Sequence, residues 1–270
     1  MNIFDIKGRV AVITGGYGVL GASMAHSLAE HGVHVAIVGR KPEKGEPLAA
    51  ELSQTGTEAI FCKADVLDRE ALIAAREKIV NKWNHIDILI NAAGGNMPGA
   101  TIMPDKSFLD IDFSAFNGVV NLNLMGTVIP TVVFGEQMAA QKKGSIINIS
   151  SMTAQTVVTR VVGYSASKAA IDNFTKWMAV EMAKKVGEGV RVNAIAPGFF
   201  ITEQNRTLMT NPDGSLSDRA KDVVRVTPFG RLGQADELHG AVIFYASDAS
   251  KFVTGTVLPV DGGFNIFSGV

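Results

Sequence analysis

The 270 residues carry a formal net charge of −1, with 47% hydrophobic and 19% charged side chains, a balance that fills a sizeable core and excludes a disordered chain. No Lys/Arg cluster creates a basic field, so no nucleic-acid partner is expected. The single cysteine, Cys62, excludes an internal disulfide framework and a cysteine-based metal cluster, and no metal site is expected.

Taken in chain order, residues 1–5 show no basic region running into an apolar stretch, so no leader is expected. Strands are expected at 9–14 (RVAVIT), 33–38, 59–63, 86–91, 144–150, 190–195 and about 256–260, because these runs are short, apolar and rich in β-branched residues. Cys62 falls in the third of them and reads as a small core residue. Helical periodicity lies between them at 21–30, 43–54, 69–82, 113–141, 165–185 and about 235–246. Such alternation predicts an α/β fold, a doubly wound parallel sheet of the Rossmann kind with right-handed crossovers. Residues 202–226, with Asn211-Pro212-Asp213-Gly214, read as a turn-rich insertion and a candidate substrate loop. No linker or repeat divides the chain, so 1–270 reads as one domain. No uninterrupted apolar run reaches the roughly 20 residues a membrane span needs. A cytoplasmic protein without a membrane partner is expected.

The first strand runs into Thr14-Gly15-Gly16-Tyr17-Gly18-Val19-Leu20-Gly21 and then a helix. Glycines there let the backbone approach a pyrophosphate, which the free N–H groups of a helix start favour. Gly15, Gly16, Gly18, Leu20 and Gly21 are therefore candidate cofactor contacts. At the end of the second strand, a carboxylate would bind an adenosine ribose and repel a 2′-phosphate. That position holds Gly39, followed by Arg40 and Lys41, whose charges predict a preference for NADP(H), with NAD(H) possible.

Tyr164-Ser165-Ala166-Ser167-Lys168 places a tyrosine and a lysine four residues apart on one helix face. A nearby ammonium stabilises phenolate, so Lys168 is expected to lower the Tyr164 pKa toward working pH. Asn96, Arg160, Gln204, Asn205 and Arg206 surround this point in sequence. They form a polar candidate pocket whose guanidinium groups suit a polyhydroxylated carboxylate rather than an acyl chain.

These motifs resemble the short-chain dehydrogenase/reductase family over nearly the whole chain, from Gly8 to Gly263. The glycine turn resembles TGxxxGxG with Val19 in place of the middle glycine. The resemblance implies Ser151 and Asn123 as catalytic partners of Tyr164 and Lys168. Ser150 would point away from the site, and Asn123 is preferred to Asn121 because the Leu-x-Gly pattern follows it. It also implies cofactor contacts from Asp65 and Val66, from Asn91, Ala92, Ala93 and Gly94, from Pro197, Gly198 and Thr202, and from Tyr164 and Lys168 at the nicotinamide ribose. Within the family, NAAGGN, ISSM, NAIAPGFF with TEQNR, and LPVDGGFNIFSGV resemble the D-mannonate oxidoreductase (fructuronate reductase) branch. That branch implies reversible reduction of D-fructuronate to D-mannonate, a keto sugar acid reaction. The alternatives are a gluconate 5-dehydrogenase-like or 3-oxoacyl thioester reductase and, in another class, a nucleotide-binding regulator without catalysis. The last would be expected to have lost Tyr164 or Lys168. The family also implies a homotetramer, to which the apolar end Val257-Leu258-Pro259-Val260, Phe264, Ile266 and Phe267 would contribute.

Overall fold

The computed structural model describes residues 2–203 and 205–269. Among these, the apolar runs form seven parallel strands, β1 (Val10–Thr14), β2 (His34–Gly39), β3 (Ala59–Lys63), β4 (Ile88–Asn91), β5 (Gly144–Ile149), β6 (Val190–Pro197) and β7 (Val257–Val260). They make one sheet of order β3-β2-β1-β4-β5-β6-β7. The helices are α1 (Val19–Glu30), α2 (Pro42–Leu52), α3 (Arg69–Trp83), α4 (Phe113–Val120), α5 (Gly126–Gln141), α6 (Val162–Lys185), α7 (Arg206–Met209), α8 (Asp218–Arg225) and α9 (His239–Ala246).

Strand side chains alternate between two faces, and both faces are covered. Ala11 and Ile13 of β1 pack with Met24 and Leu28 of α1 and Tyr245 of α9. Val10 and Val12 pack with Leu72 and Ile79 of α3, Phe134 of α5 and Met182 of α6. Cys62 is buried on this second face as a free thiol. Strand order reverses between β1 and β4, where Thr14 lies beside Val38 of β2 and Asn91 of β4. A crevice opens at this switch point, outside the carboxyl ends of the strands.

Three elements differ from the sequence expectation. The stretch expected as one helix over 113–141 is interrupted by a π turn at Asn121–Met125. Its 29 residues are long and apolar enough to cross a membrane by length and composition, but half of the most apolar window is buried inside the protein. It is the core helix that α3 and α6 pack against. Second, α6 begins at Val162 rather than 165, which puts Tyr164 in its first turn. Third, the expected turn-rich loop contains α7 and α8. The Asn211–Gly214 turn is present, with Gly214 at φ +84°, but Ser217 then caps α8 by accepting a hydrogen bond from the Ala220 N–H at 3.2 Å. Ala220 and Val223, three apart, bury against Met209.

Candidate active site

The glycine turn after β1 is a cradle that a Cβ would fill. Gly15 has φ +64°, and a Cβ there would stand 2.8 Å from the Ala93 Cα. A Cβ on Gly21 would stand 2.5 Å from the Gly15 carbonyl oxygen. Gly18 is the N-cap of α1 in extended conformation, with no side-chain cap and no acid in the first turn. The Val19 and Leu20 amides have no acceptor among the described residues, and the Val19 side chain is exposed rather than filling the turn. Free amides, a helix start and close backbone approach fit a pyrophosphate.

Beside this turn stands a residue that sequence reasoning passed over. The Tyr17 ring lies against the end of β2, where a Cβ on Gly39 would meet its Cε1 at 2.3 Å, and its hydroxyl accepts the Arg40 N–H at 3.1 Å. A side chain at Gly39 would displace the Tyr17 ring, and the signal for this contact was available in the Gly-Tyr-Gly order of the turn. Arg40 is exposed and lies 3.7 Å from Asp65 Oδ2 across the strand ends; Lys41 is also exposed. Val66 is buried and closes on Gly126, whose Cβ would meet Val66 Cγ2 at 2.9 Å.

At the end of β4 the Ala92 and Ala93 amides donate to the Thr14 carbonyl and hydroxyl oxygens. The Asn91 amide group donates to Thr131 Oγ1 and Asn148 Oδ1, both at 2.9 Å, so its side chain serves the sheet interior, with Oδ1 left unpartnered. Gly94 is exposed, and a Cβ on it would lie 2.7 Å from Asn123 Oδ1 and 3.4 Å from Lys168 Nζ. Gly198 holds the turn after β6 against β7 through its N–H to the Val260 carbonyl at 2.9 Å, with Pro197 as the last residue of β6.

The four expected catalytic residues converge on this crevice. Asn123 sits in the π turn, fully buried, with its amide donating to the Gly95 and Val119 carbonyls at 2.6 and 2.8 Å and its Oδ1 accepting the Gly95 N–H. The local widening of the helix, a feature common at functional sites, is what turns this side chain toward the β4 loop. Ser151 follows β5, caps a short turn by accepting the Thr153 N–H at 3.2 Å, and stands close enough to Tyr164 for its hydroxyl to hold the phenol down. Ser150 points elsewhere, as alternation predicts, into a bond with the Asp172 carboxylate. Lys168 is buried, donates to the Ile149 carbonyl at 2.7 Å, and lies 5.4 Å from the centre of the Tyr164 ring.

The electrostatics depart from expectation at Tyr164. Burial pushes its phenol above the usual range of about 10, against the opposing hydrogen bond with Ser151. The expected lowering by Lys168 does not prevail, because the ammonium faces the Ile149 carbonyl and burial depresses the lysine itself to about 8. The Asp172 carboxylate works against that depression. Asp172 is in turn raised, mainly by its own burial.

The polar residues expected around the substrate do not all meet. Arg160 lines a cavity of about 530 Å³ together with Thr153, Gln155, Thr156 and Ser165. Ile102, Phe108, Val157, Val158 and Val162 make its remaining wall largely apolar, more so than the sequence suggested. Asn96 donates to Thr101 Oγ1 at 2.8 Å and keeps a buried, unpartnered Oδ1. Asn205 is taken up by its own loop, accepting the Thr202 N–H and donating to the Phe200 carbonyl. Arg206 is exposed at the start of α7. Gln204 lies outside the described residues. A smaller cavity of about 180 Å³, between Phe199, Phe229 and Asp261, holds none of the candidate catalytic groups.

A family model described as enoyl-(acyl carrier protein) reductase matches residues 18–265. The chain is 44% identical over 275 residues to the uncharacterized oxidoreductase UxuB of Bacillus subtilis (strain 168), covering 98% of each. Among solved structures, a candidate D-mannonate oxidoreductase from Haemophilus influenza with bound NAD is 41% identical, with a TM-score of 0.91 over 98% of each chain. A gluconate 5-dehydrogenase from Burkholderia cenocepacia J2315, in complex with NADP and tartrate, is 34% identical, with a TM-score of 0.84 over 97% of each chain.

Proposed function

The chain belongs to the short-chain dehydrogenase/reductase family of NAD(P)-dependent oxidoreductases, and from that premise we propose that it interconverts the ketone of a keto sugar acid with a secondary alcohol, with D-fructuronate and D-mannonate as the pair. The observation that carries the reaction type is the meeting of Tyr164 with Ser151, whose hydroxyl bears on the phenol, and with Lys168, whose ammonium lies 5.4 Å from the ring centre. A nicotinamide dinucleotide bound in the glycine cradle would supply or accept the hydride. Ser151 holds the substrate oxygen against the phenol, and Tyr164 delivers the proton to that oxygen in reduction or removes it in oxidation. Lys168 would hold the nicotinamide ribose when the cofactor is bound, and Asn123 fixes the β4 loop through its bonds to Gly95.

The sugar-acid reading draws support from the likeness to the candidate D-mannonate oxidoreductase and from Arg160 at the cavity wall. Tartrate, a hydroxy dicarboxylate, accompanies the gluconate 5-dehydrogenase relative. The apolar part of the cavity favours a second reading, reduction of a 3-oxoacyl thioester. A panel of D-fructuronate, 5-keto-D-gluconate and an acetoacetyl thioester decides between them. Turnover confined to the thioester overturns the sugar-acid reading.

We propose NADP(H) as the preferred cofactor. Gly39 offers no carboxylate, and Arg40 stands at the strand end with only a long, exposed contact to Asp65 to draw it from a 2′-phosphate. A kcat/KM higher with NADH than with NADPH refutes this. Cytoplasmic, homotetrameric action completes the reading, with the residues 202–226 region as its substrate loop.

A further inference from the structure

Arg219 reaches Thr159 on the wall of the larger cavity, next to Arg160, and no carboxylate pairs with either arginine among the described residues. Arg219, on α8, donates from Nη1 to the Thr159 hydroxyl at 3.3 Å and from Nη2 to the Thr159 carbonyl at 3.2 Å. Thr159 and the next residue, Arg160, both line the cavity. Arg219 is half-buried, and the charge of Arg160 adds to burial in holding its guanidinium below the usual range. The neighbouring acids are committed elsewhere, Asp218 to Lys221 and Asp222 to Arg225.

Arg160 carries a second sign of constraint. Its φ is +77°, a left-handed conformation unfavourable for a non-glycine residue and kept where the surroundings enforce it. The enforcing contacts are visible, since its carbonyl accepts the Ile102 N–H at 2.9 Å while Arg219 clamps Thr159 before it. Ser165, on the same cavity wall and next to Tyr164, has a buried hydroxyl oxygen without a partner. Thr153, also on that wall, donates to Ser151 Oγ at 3.1 Å. The cavity wall thus holds Thr153, the hydrogen-bonded neighbour of Ser151, and Arg160, next to the Thr159 that Arg219 grips.

We propose that Arg160 and Arg219 together seat the carboxylate of the substrate, with α8 contributing half of the seat. This deepens the sugar-acid reading above and rests on it. Like charges on neighbouring positions repel one another, and an anion that both can reach removes that repulsion while accepting charge-assisted hydrogen bonds. The substrate class that follows is a chain of hydroxylated carbons with the carboxylate at one end and the ketone at the other, toward Ser151 and Tyr164. Because Arg219 belongs to α8, binding of the carboxylate also fastens α8 to the cavity wall.

The test compares D-fructuronate with D-fructose, in which a hydroxymethyl group replaces the carboxylate, in the wild-type chain and in Arg219→Gln. The ratio of the two kcat/KM values is expected to fall roughly 30-fold, the loss of one charge-assisted bond to a carboxylate. A merely structural arginine would lower both substrates together, and an unchanged ratio overturns the proposal. Should Arg219→Gln fail to fold, Arg219→Lys keeps the charge and loses the fork, and the same ratio decides with a smaller fall. If the wild type turns over no sugar acid, the function reading fails by itself. Calorimetry with malonate then judges the seat, where binding lost in the variant supports it and no binding to the wild type overturns it.

Discussion

Lys168 is buried with the Ile149 carbonyl as its hydrogen-bond acceptor, and this burial sets the sign of its effect on stability. Burial depresses its pKa from 10.5 to about 8, so folding favours the neutral amine and opposes the charged one. Below about pH 8 the folded chain carries that opposition in full. It fades as pH rises from about 8 toward the unfolded value, where both states hold a neutral amine. Lys168→Met is therefore expected to stabilise the protein by about 2–3 kcal/mol near pH 7, and by less near pH 10, while abolishing turnover. Urea unfolding at the two pH values measures it, and a variant less stable near neutrality contradicts it. Tyr164 obeys the opposite logic. Burial raises its phenol, so the group stays protonated at neutral pH and is ready to donate in reduction. Oxidation requires the proton to be taken up, so its rate is expected to rise with pH through the alkaline range while reduction stays level near neutrality. Rates in both directions against pH test this. Tyr164→Phe is expected to cost at least ~1,000-fold in kcat with cofactor affinity retained, and residual turnover near the wild-type rate would remove the tyrosine from the mechanism.

Among the elements, α8 carries Arg219 and packs only slightly itself. It buries little beyond Ala220 and Val223, and Ser217 joins it to α7 by donating to the Leu208 carbonyl at 2.7 Å while capping the Ala220 N–H. Ser217→Ala is expected to cost this region about 1 kcal/mol without moving the global unfolding midpoint, because the main core is elsewhere. The KM for the substrate should rise severalfold, and amide exchange should quicken across 218–225 alone. A change confined to the global midpoint would contradict it. The sheet was legible in the sequence because buried parallel strands such as residues 88–91 and 146–149 are apolar at nearly every position, and each lies between helical periods. Tyr164 and Lys168 were legible because a spacing of four on a helix fixes a shared face. α8 was not, since five of its eight residues are charged and its apolar stripe is two residues wide. The π turn at Asn121–Met125 was hidden for another reason: a one-residue widening leaves the helical period intact, and only the buried Asn123 between apolar neighbours betrays it. Arg219 escaped because its partner, Thr159, is sixty residues distant, a relation no local pattern contains.

At the scale of the whole molecule, large apolar side chains are left in water around the larger cavity, at Leu109 and Val157, and on two further surfaces. Phe113 on α4, Val132 on α5, and Trp177 and Val180 on α6 are 72%, 49%, 60% and 55% exposed. Trp177 and Val180, three apart, share one face of α6. Near β7, an edge strand of the sheet, Phe252 and Ile266 are 98% and 84% exposed. Soluble monomers rarely present such surfaces, and an edge strand invites a partner unless it is covered. Two separate self-complementary patches on one chain, each meeting its own copy about a two-fold axis, generate a closed tetramer. Trp177→Asp places a charge at the centre of the helical patch and leaves the β7 patch whole, so it is expected to yield a dimer rather than a monomer. Light scattering reads the mass directly. A wild-type monomer would refute self-association, and a tetrameric variant would move the interface away from α6. Because the 202–226 region and the Arg160 loop belong to the same chain as the reacting groups, the dimer is expected to keep its turnover per chain.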